Sequence, residues 1–307
     1  MMQTNFSAPV PAAPKPLTLE RLLATVDDLP ALPEVAMKVS RMAEDPSASA
    51  QAIGRVISTD QALTARILRL ANSAFYGVSR RISTVQEAIV ILGLRTVKSL
   101  TMAASVYPVL GREARGYALG KGELWRHSIS CAIFAQTLAR QMKPSGPQVG
   151  FVTPDEAFVA GLLHDIGKMV LSLHLNERFD EVRDYALSEK VSFLDAERKI
   201  LGFDHAQAGA ALAEKWNLPA SLTDTIACHH DPMSAQPGHI GLACAAHIAD
   251  AHCVMMGIGI GGDGLLSPLH PEAMRAVGIT DDGQAVIEKF LNALKLAGPA
   301  FDFEKAL

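Results

Sequence analysis

Apolar residues return every three or four positions through the first third of this chain, and no stretch alternates apolar with polar as a half-buried strand would. Val35, Val39 and Met42 form one such stripe, Leu63, Ile67 and Leu70 a second, and Val85, Ala88, Ile89 and Leu92 a third. That spacing leaves helices as the building material. The punctuation agrees: Pro33 fits a first helical turn, Thr84 with Glu87 makes a capping box, and Gly93 suits a left-handed helix end. Helices this short do not stand alone in water, so each must bury its stripe against its neighbours. Residues 17–110 are therefore expected to form a small helical bundle.

At 307 residues, 49% of them hydrophobic, the chain exceeds one helical core, and two packed units are expected. A net charge of -4 supplies no global attraction to nucleic acid or acidic membranes. The opening sixteen residues, MMQTNFSAPVPAAPKP, lack the basic start and apolar core of a signal or anchor, and their prolines read as a disordered tail. The most apolar stretch, 242–262, is interrupted by His247, Asp250 and His252, so it reads as a buried helix rather than a membrane span. Cys131, Cys228, Cys244 and Cys253 form no C-x-x-C pair and are expected as free, buried thiols of a cytoplasmic protein.

Between the halves runs GREARGYALGKGE, whose glycines and charges favour loop; residues 111–126 are read as a linker and 127–307 as a second helical subdomain. Beyond it, Thr153, Pro154 and Glu156 open a helix leading to His164 and Asp165. Asp204 with Gln207 caps the helix bearing His205, Pro219 starts one ending at His229 and His230, and Gly238 precedes one bearing His247 and Asp250.

All ten histidines lie between His127 and His270, and the first 126 residues carry none. Imidazoles and carboxylates interleaved along separate helices are what a shared metal site requires. Near a helix end the adjacent His164 and Asp165 can converge on one ion, and a carboxylate can bridge two ions where a neutral imidazole cannot. Asp165 is the natural bridge, with His127, His164 and Asp250 completing one site and His205 with His229 a second. His230 is left for an outer role or a phosphate oxygen, and Lys168, one turn beyond His164, for holding the charge of a phosphorylated ligand. His174, His239, His252 and His270 read as hydrogen-bonded structural residues. His247, three residues before Asp250 on the same helical face, is ambiguous.

With GLLHDIGKMVL at 161–171, DHAQAGAAL at 204–212, CHHDP at 228–232 and AAHIAD at 245–250, the second half resembles the HD superfamily of metal-dependent phosphohydrolases. LPALPEVAMKVSRMAEDP at 29–46, ISTDQALTARILRLANSAFYG at 57–77 and ISTVQEAIVILGLRTVKSLTM at 82–102 resemble the HDOD domain, the HD-related output domain of bacterial signalling proteins. The likeness runs over roughly residues 17–300. It implies an all-α fold in which an N-terminal helical bundle packs against an HD-like bundle, and a role in signal transduction. By position, His127, His164, Asp165 and Asp250 match the superfamily's core ligands, and His205 and His229 the added histidines of its two-metal branch. The branch that hydrolyses cyclic dinucleotides carries a Gly-Tyr-Pro element after its paired histidines; here the chain reads HHDPMSAQPGHIG, which argues against that activity.

Two functions follow. The first is a regulatory output module that binds a signalling protein partner and a nucleotide or phosphorylated ligand. The second is a phosphohydrolase using one or two divalent ions, Fe, Mn, Zn or Mg, with Asp165, Lys168 and His230 serving the reaction. Arg55, Arg66, Arg69, Arg80, Arg81, Arg95 and Lys98 outnumber Asp60 and Glu87 between residues 50 and 100. No aromatic interleaving or long basic run accompanies them, so DNA is not the expected partner. Gly257, Gly259 and Gly262 satisfy G-x-G-x-x-G but follow a helix rather than a strand, and mark a loop instead of a dinucleotide site.

Overall fold

The computed structural model describes residues 18–24, 34–45, 49–175, 178–259, 261–262, 269–279 and 283–301. The expected tail at 1–16, Pro33 and the side chain of His174 lie outside what is described. The fold is all-α; the described residues hold no strand beyond one isolated bridge between Ala114 and Leu119. Among them no helix is long and apolar enough to cross a membrane.

The first half comprises α1 (Leu19–Ala24), α2 (Glu34–Glu44), α3 (Ala50–Ile57), α4 (Gln61–Ala71), α5 (Val85–Leu92) and α6 (Leu94–Leu110). The second comprises α7 (Glu123–Ala139), α8 (Pro154–Leu163), α9 (Ile166–Leu175), α10 (Phe179–Glu189), α11 (Phe193–Leu201) and α12 (His205–Lys215). It continues with α13 (Ala220–Cys228), α14 (Ile240–Met255), α15 (Pro271–Ala276) and α16 (Gln284–Phe301).

Side chains start these helices where the sequence places them. Thr84 accepts from the Glu87 N–H at 3.1 Å, while the Glu87 carboxylate takes the Ser83 N–H instead of closing a reciprocal box. Thr153 with Glu156 and Asp204 with Gln207 both form complete capping boxes, satisfying backbone donors that a helix start leaves open. Gly93 has φ 86° but ψ 156°, so instead of a left-handed cap it makes a sharp joint that feeds α5 straight into α6.

Helix α6 is the seam. It packs on α2, α4 and α5 on one side and on α7, α8 and α9 on the other, and its Leu100, Ala103 and Ala104 are fully buried. One hydrophobic core therefore runs from Leu22 to Phe301 through both halves. Ser99 donates to the Asp155 carbonyl at 3.2 Å, and the Trp125 indole N–H donates to the Phe301 carbonyl at 2.8 Å, so the last helix is pinned to the start of α7.

The stretch expected as a linker is packed rather than loose. Helix α7 already begins at Glu123; Tyr117 and Leu119 are buried, and the Gly116 N–H donates to Ser172 Oγ at 3.2 Å. The many glycines and charges of 111–126 mask these two apolar anchors.

Two close helix crossings set the geometry of the second half. A Cβ on Gly167 would lie 1.8 Å from the His205 carbonyl oxygen, and one on Gly161 would lie 2.6 Å from that of Cys131. Only glycine at these positions lets α9 meet α12 and α8 meet α7 at that range.

Candidate metal centre

Five structural elements bring the expected residues to one place. His127 lies on the second turn of α7, His164 and Asp165 occupy the two-residue break between α8 and α9, His205 opens α12, His229 ends α13, and Asp250 lies on α14. The break is what allows adjacent residues to face one point. Exposure of these six side chains is at most 5%, so the cluster is desolvated.

Asp165 divides it. Its Oδ2 lies 3.4 Å from His127 Nε2 and 3.4 Å from His164 Nε2, while its Oδ1 lies 3.5 Å from His205 Nε2 and 3.7 Å from His229 Nε2. Asp250 Oδ1 closes the first group, 3.2 Å from His127 Nε2 and 3.7 Å from His164 Nε2. His230 stands beside the second group, its Nε2 2.8 Å from His205 Nε2, and is the member of the cluster with partial solvent exposure.

The rings are aimed from behind. His127 Nδ1 bonds the Ile258 carbonyl at 3.0 Å, His164 Nδ1 that of Gly161 at 2.9 Å, and His229 Nδ1 that of Ile226 at 2.8 Å. Each such bond places a proton on Nδ1 and aims Nε2 at the cluster. His164 Nε2 and His229 Nε2 are buried with no hydrogen-bond partner. Polar atoms left unmet inside a protein are costly, and a cation bound by these nitrogens, displacing the proton of His164, removes the cost. Donor atoms bound at about 2.0–2.3 Å to a tetrahedral ion stand roughly 3.3–3.8 Å apart, the range found around Asp165. The donor set present therefore fits metal binding around Asp165.

Charge in the cluster is finely divided. Burial opposes ionisation of Asp165, but Lys168, His164 and His205 overcome it and hold the carboxyl well below its ordinary range. Asp250 is held low in the same sense by His127 and His164 against the cost of burial. Burial likewise opposes a proton on His164, yet Asp165 and Asp250 carry that imidazole up to about 10. Burial, reinforced by His164, takes His229 down to about 3.

Lys168, expected to hold a ligand's charge, bonds Asp165 Oδ2 at 2.6 Å and lies over the Tyr117 ring. His247 resolves as a support: its Nδ1 bonds the His229 carbonyl at 2.8 Å and its Nε2 accepts the His270 N–H at 3.1 Å, leaving no lone pair for an ion. His239 pairs with Asp224, and His252 bonds the Ile248 carbonyl. All four cysteines are free thiols.

Two contributors carry no sequence signal of their own, and a third carries only a faint one. Glu197 on α11 is fully buried; its Oε2 accepts both the backbone N–H and ring Nδ1 of His205, and its Oε1 accepts from the Tyr117 hydroxyl. Gly259, with φ 66°, brings the loop after α14 against His127, where a Cβ would lie 2.5 Å from the His127 Cβ. Cys131 Sγ lies 3.5 Å from His127 Nε2; its place one helical turn after His127 is the one hint the sequence offers.

A helical bundle closed around a buried histidine and aspartate cluster is the architecture of HD-type domains. The HDOD domain family matches residues 29–232, and the chain belongs to that family. The match includes five of the six central residues and stops before Asp250. A solved HDOD domain protein from Geobacter sulfurreducens is 27% identical, with a TM-score of 0.73 over 92% of this chain and 96% of that one. A candidate phosphohydrolase from Shewanella amazonensis SB2B is also 27% identical, with a TM-score of 0.63 over 91% and 96% of the two chains. A protein from Treponema pallidum (strain Nichols) is 30% identical over 208 residues, 67% of this chain but 38% of that protein; the chain thus spans well under half of that relative.

Proposed function

We propose that this chain is a cytoplasmic signal-transduction module that holds two divalent ions on either side of Asp165 and binds a phosphorylated ligand or nucleotide beside His230. The observation that carries this reading is the divided carboxylate of Asp165, flanked on each side by buried imidazole nitrogens, two of which have no partner. Asp250, His127 and His164 would hold the first ion, and His205 and His229 the second, His205 exchanging its Nε2 contact with His230 for the ion.

Divalent ions bound there would supply Lewis acidity toward a phosphoryl oxygen and lower the pKa of a nearby water. The chain's own part is to orient. Glu197 fixes the ring of His205, the Ile258 carbonyl fixes that of His127, and Lys168 neutralises part of the Asp165 charge. His230, half-buried with its Nε2 against His205, would donate to a phosphate oxygen. The near-complete burial of the other residues favours holding and sensing a ligand over rapid turnover, and a partner protein would read the outcome through the shared core at α6.

The second reading, a metal-dependent phosphohydrolase, draws on the two oxygens of Asp165 facing different imidazoles, since ions held by both would serve attacking and leaving oxygens together. Metal analysis of protein purified without chelator tests both: two ions per chain are expected, and none across Fe, Mn, Zn and Mg sinks both. Steady hydrolysis of phosphoesters or nucleotides by the loaded protein selects the enzyme. A shift in melting temperature on adding nucleotides, without turnover, selects the sensor.

A further inference from the structure

We propose that Cys131 binds the first ion as a thiolate, so that this side of the centre takes a thiophilic cation of the zinc class in preference to magnesium. The inference rests on the metal reading above and names the ion that the reading leaves open.

Cys131 follows His127 by one turn of α7, which sets both side chains on the same face. Its Sγ lies 3.5 Å from His127 Nε2, within the separation expected of two donors on one ion. Cys131 Sγ, one ring nitrogen each of His127 and His164, and one carboxylate oxygen of Asp250 all lie within 4.8 Å of one another. The thiol is fully buried, and His164 Nε2, in the same group, has no partner. Two imidazoles, the Asp250 carboxylate and a thiolate, with Asp165 as the shared fifth donor, make a mixed set that suits Zn, Fe(II) or Co(II); magnesium prefers oxygen donors in octahedral array.

As a plain core residue, Cys131 would serve α7 as alanine does. Without an ion the buried thiol keeps its proton beside Cys253 and is inert. An ion inverts that: the Sγ–H bond breaks, the proton leaves to solvent, and the sulfur lone pair is donated to the metal. Of the other thiols, Cys228 bonds Asp224, whereas Cys253 on α14 is the hydrogen-bond neighbour of Cys131.

Cobalt(II) is the probe. Full-length protein titrated with Co(II) is expected to show a near-ultraviolet sulfur-to-cobalt charge-transfer band together with visible ligand-field bands. C131S should lose the first while keeping ligand-field absorption, and its zinc affinity should fall about 10-fold or more with manganese affinity little changed. A variant with Cys131 as its sole thiol, C228S/C244S/C253S, should retain the band and covers the case in which C131S does not fold. Ligand-field bands without the charge-transfer band in the unsubstituted protein overturn the proposal and leave the metal reading standing. A band that persists in C131S overturns it as well, and failure to take up any Co(II) overturns both.

Discussion

Glu197 and His205 are joined twice, through the His205 backbone N–H at 2.9 Å and its ring Nδ1 at 2.8 Å, and both bonds end on the same carboxylate oxygen. The carboxylate thus fixes where α12 begins and which nitrogen of the ring faces Asp165.

E197Q keeps an acceptor oxygen but loses the charge. It is expected to weaken the second ion about 10- to 100-fold and leave the first nearly untouched. Ions bound per chain at limiting metal should fall from two toward one; two tightly held ions in the variant would contradict the role given to Glu197.

D165N and H229A separate the two sides of the centre. The first removes the shared carboxylate and should abolish binding of both ions, whereas the second should remove one. Equilibrium dialysis with elemental analysis reads both. Equal losses would mean that Asp165 does not bridge.

H247A should leave the ion count unchanged while costing about 1–3 kcal/mol of stability, because the His229 carbonyl and the His270 N–H both lose a buried partner. Urea unfolding beside metal analysis checks the pair of outcomes. A lost ion would place His247 among the ligands.

Metal uptake should release protons. With Asp165 and Asp250 overcoming burial to lift His164 to about 10, the ion-free ring is charged at neutral pH and must shed that proton before it can coordinate. Affinity should therefore rise as pH rises toward about 10. Calorimetry in buffers of different ionisation enthalpy measures the release, and pH-independent affinity would refute it.

G167A should cost about 3 kcal/mol, since its Cβ would stand 1.8 Å from the His205 carbonyl oxygen and a backbone cannot yield as a side-chain tip does. A melting temperature equal to that of the natural sequence would show that α9 and α12 separate easily.

Much of this was legible in the residues. Capping residues and prolines place the starts of α8 and α12, because a cap is a local hydrogen bond between neighbours in sequence. The His164–Asp165 pair and the spaced histidines point to one shared cluster because only a few side chains coordinate ions. Contacts between distant segments are not written in this way. Glu197 reads as an ordinary charge of an exposed helix, and nothing local reveals that α11 turns it inward to His205. Tyr117 and Leu119 were hidden among glycines, and His247 could be told from a ligand only once its second nitrogen had found His270.

The Ile258 carbonyl that steadies His127 comes from 131 residues further along the chain. During synthesis, α7 through α13 emerge before that support exists, and Asp250 arrives only shortly ahead of it. The cluster cannot close until α14 and its loop have left the ribosome, so any ion that needs Asp250 would be taken up late, on a nearly finished fold.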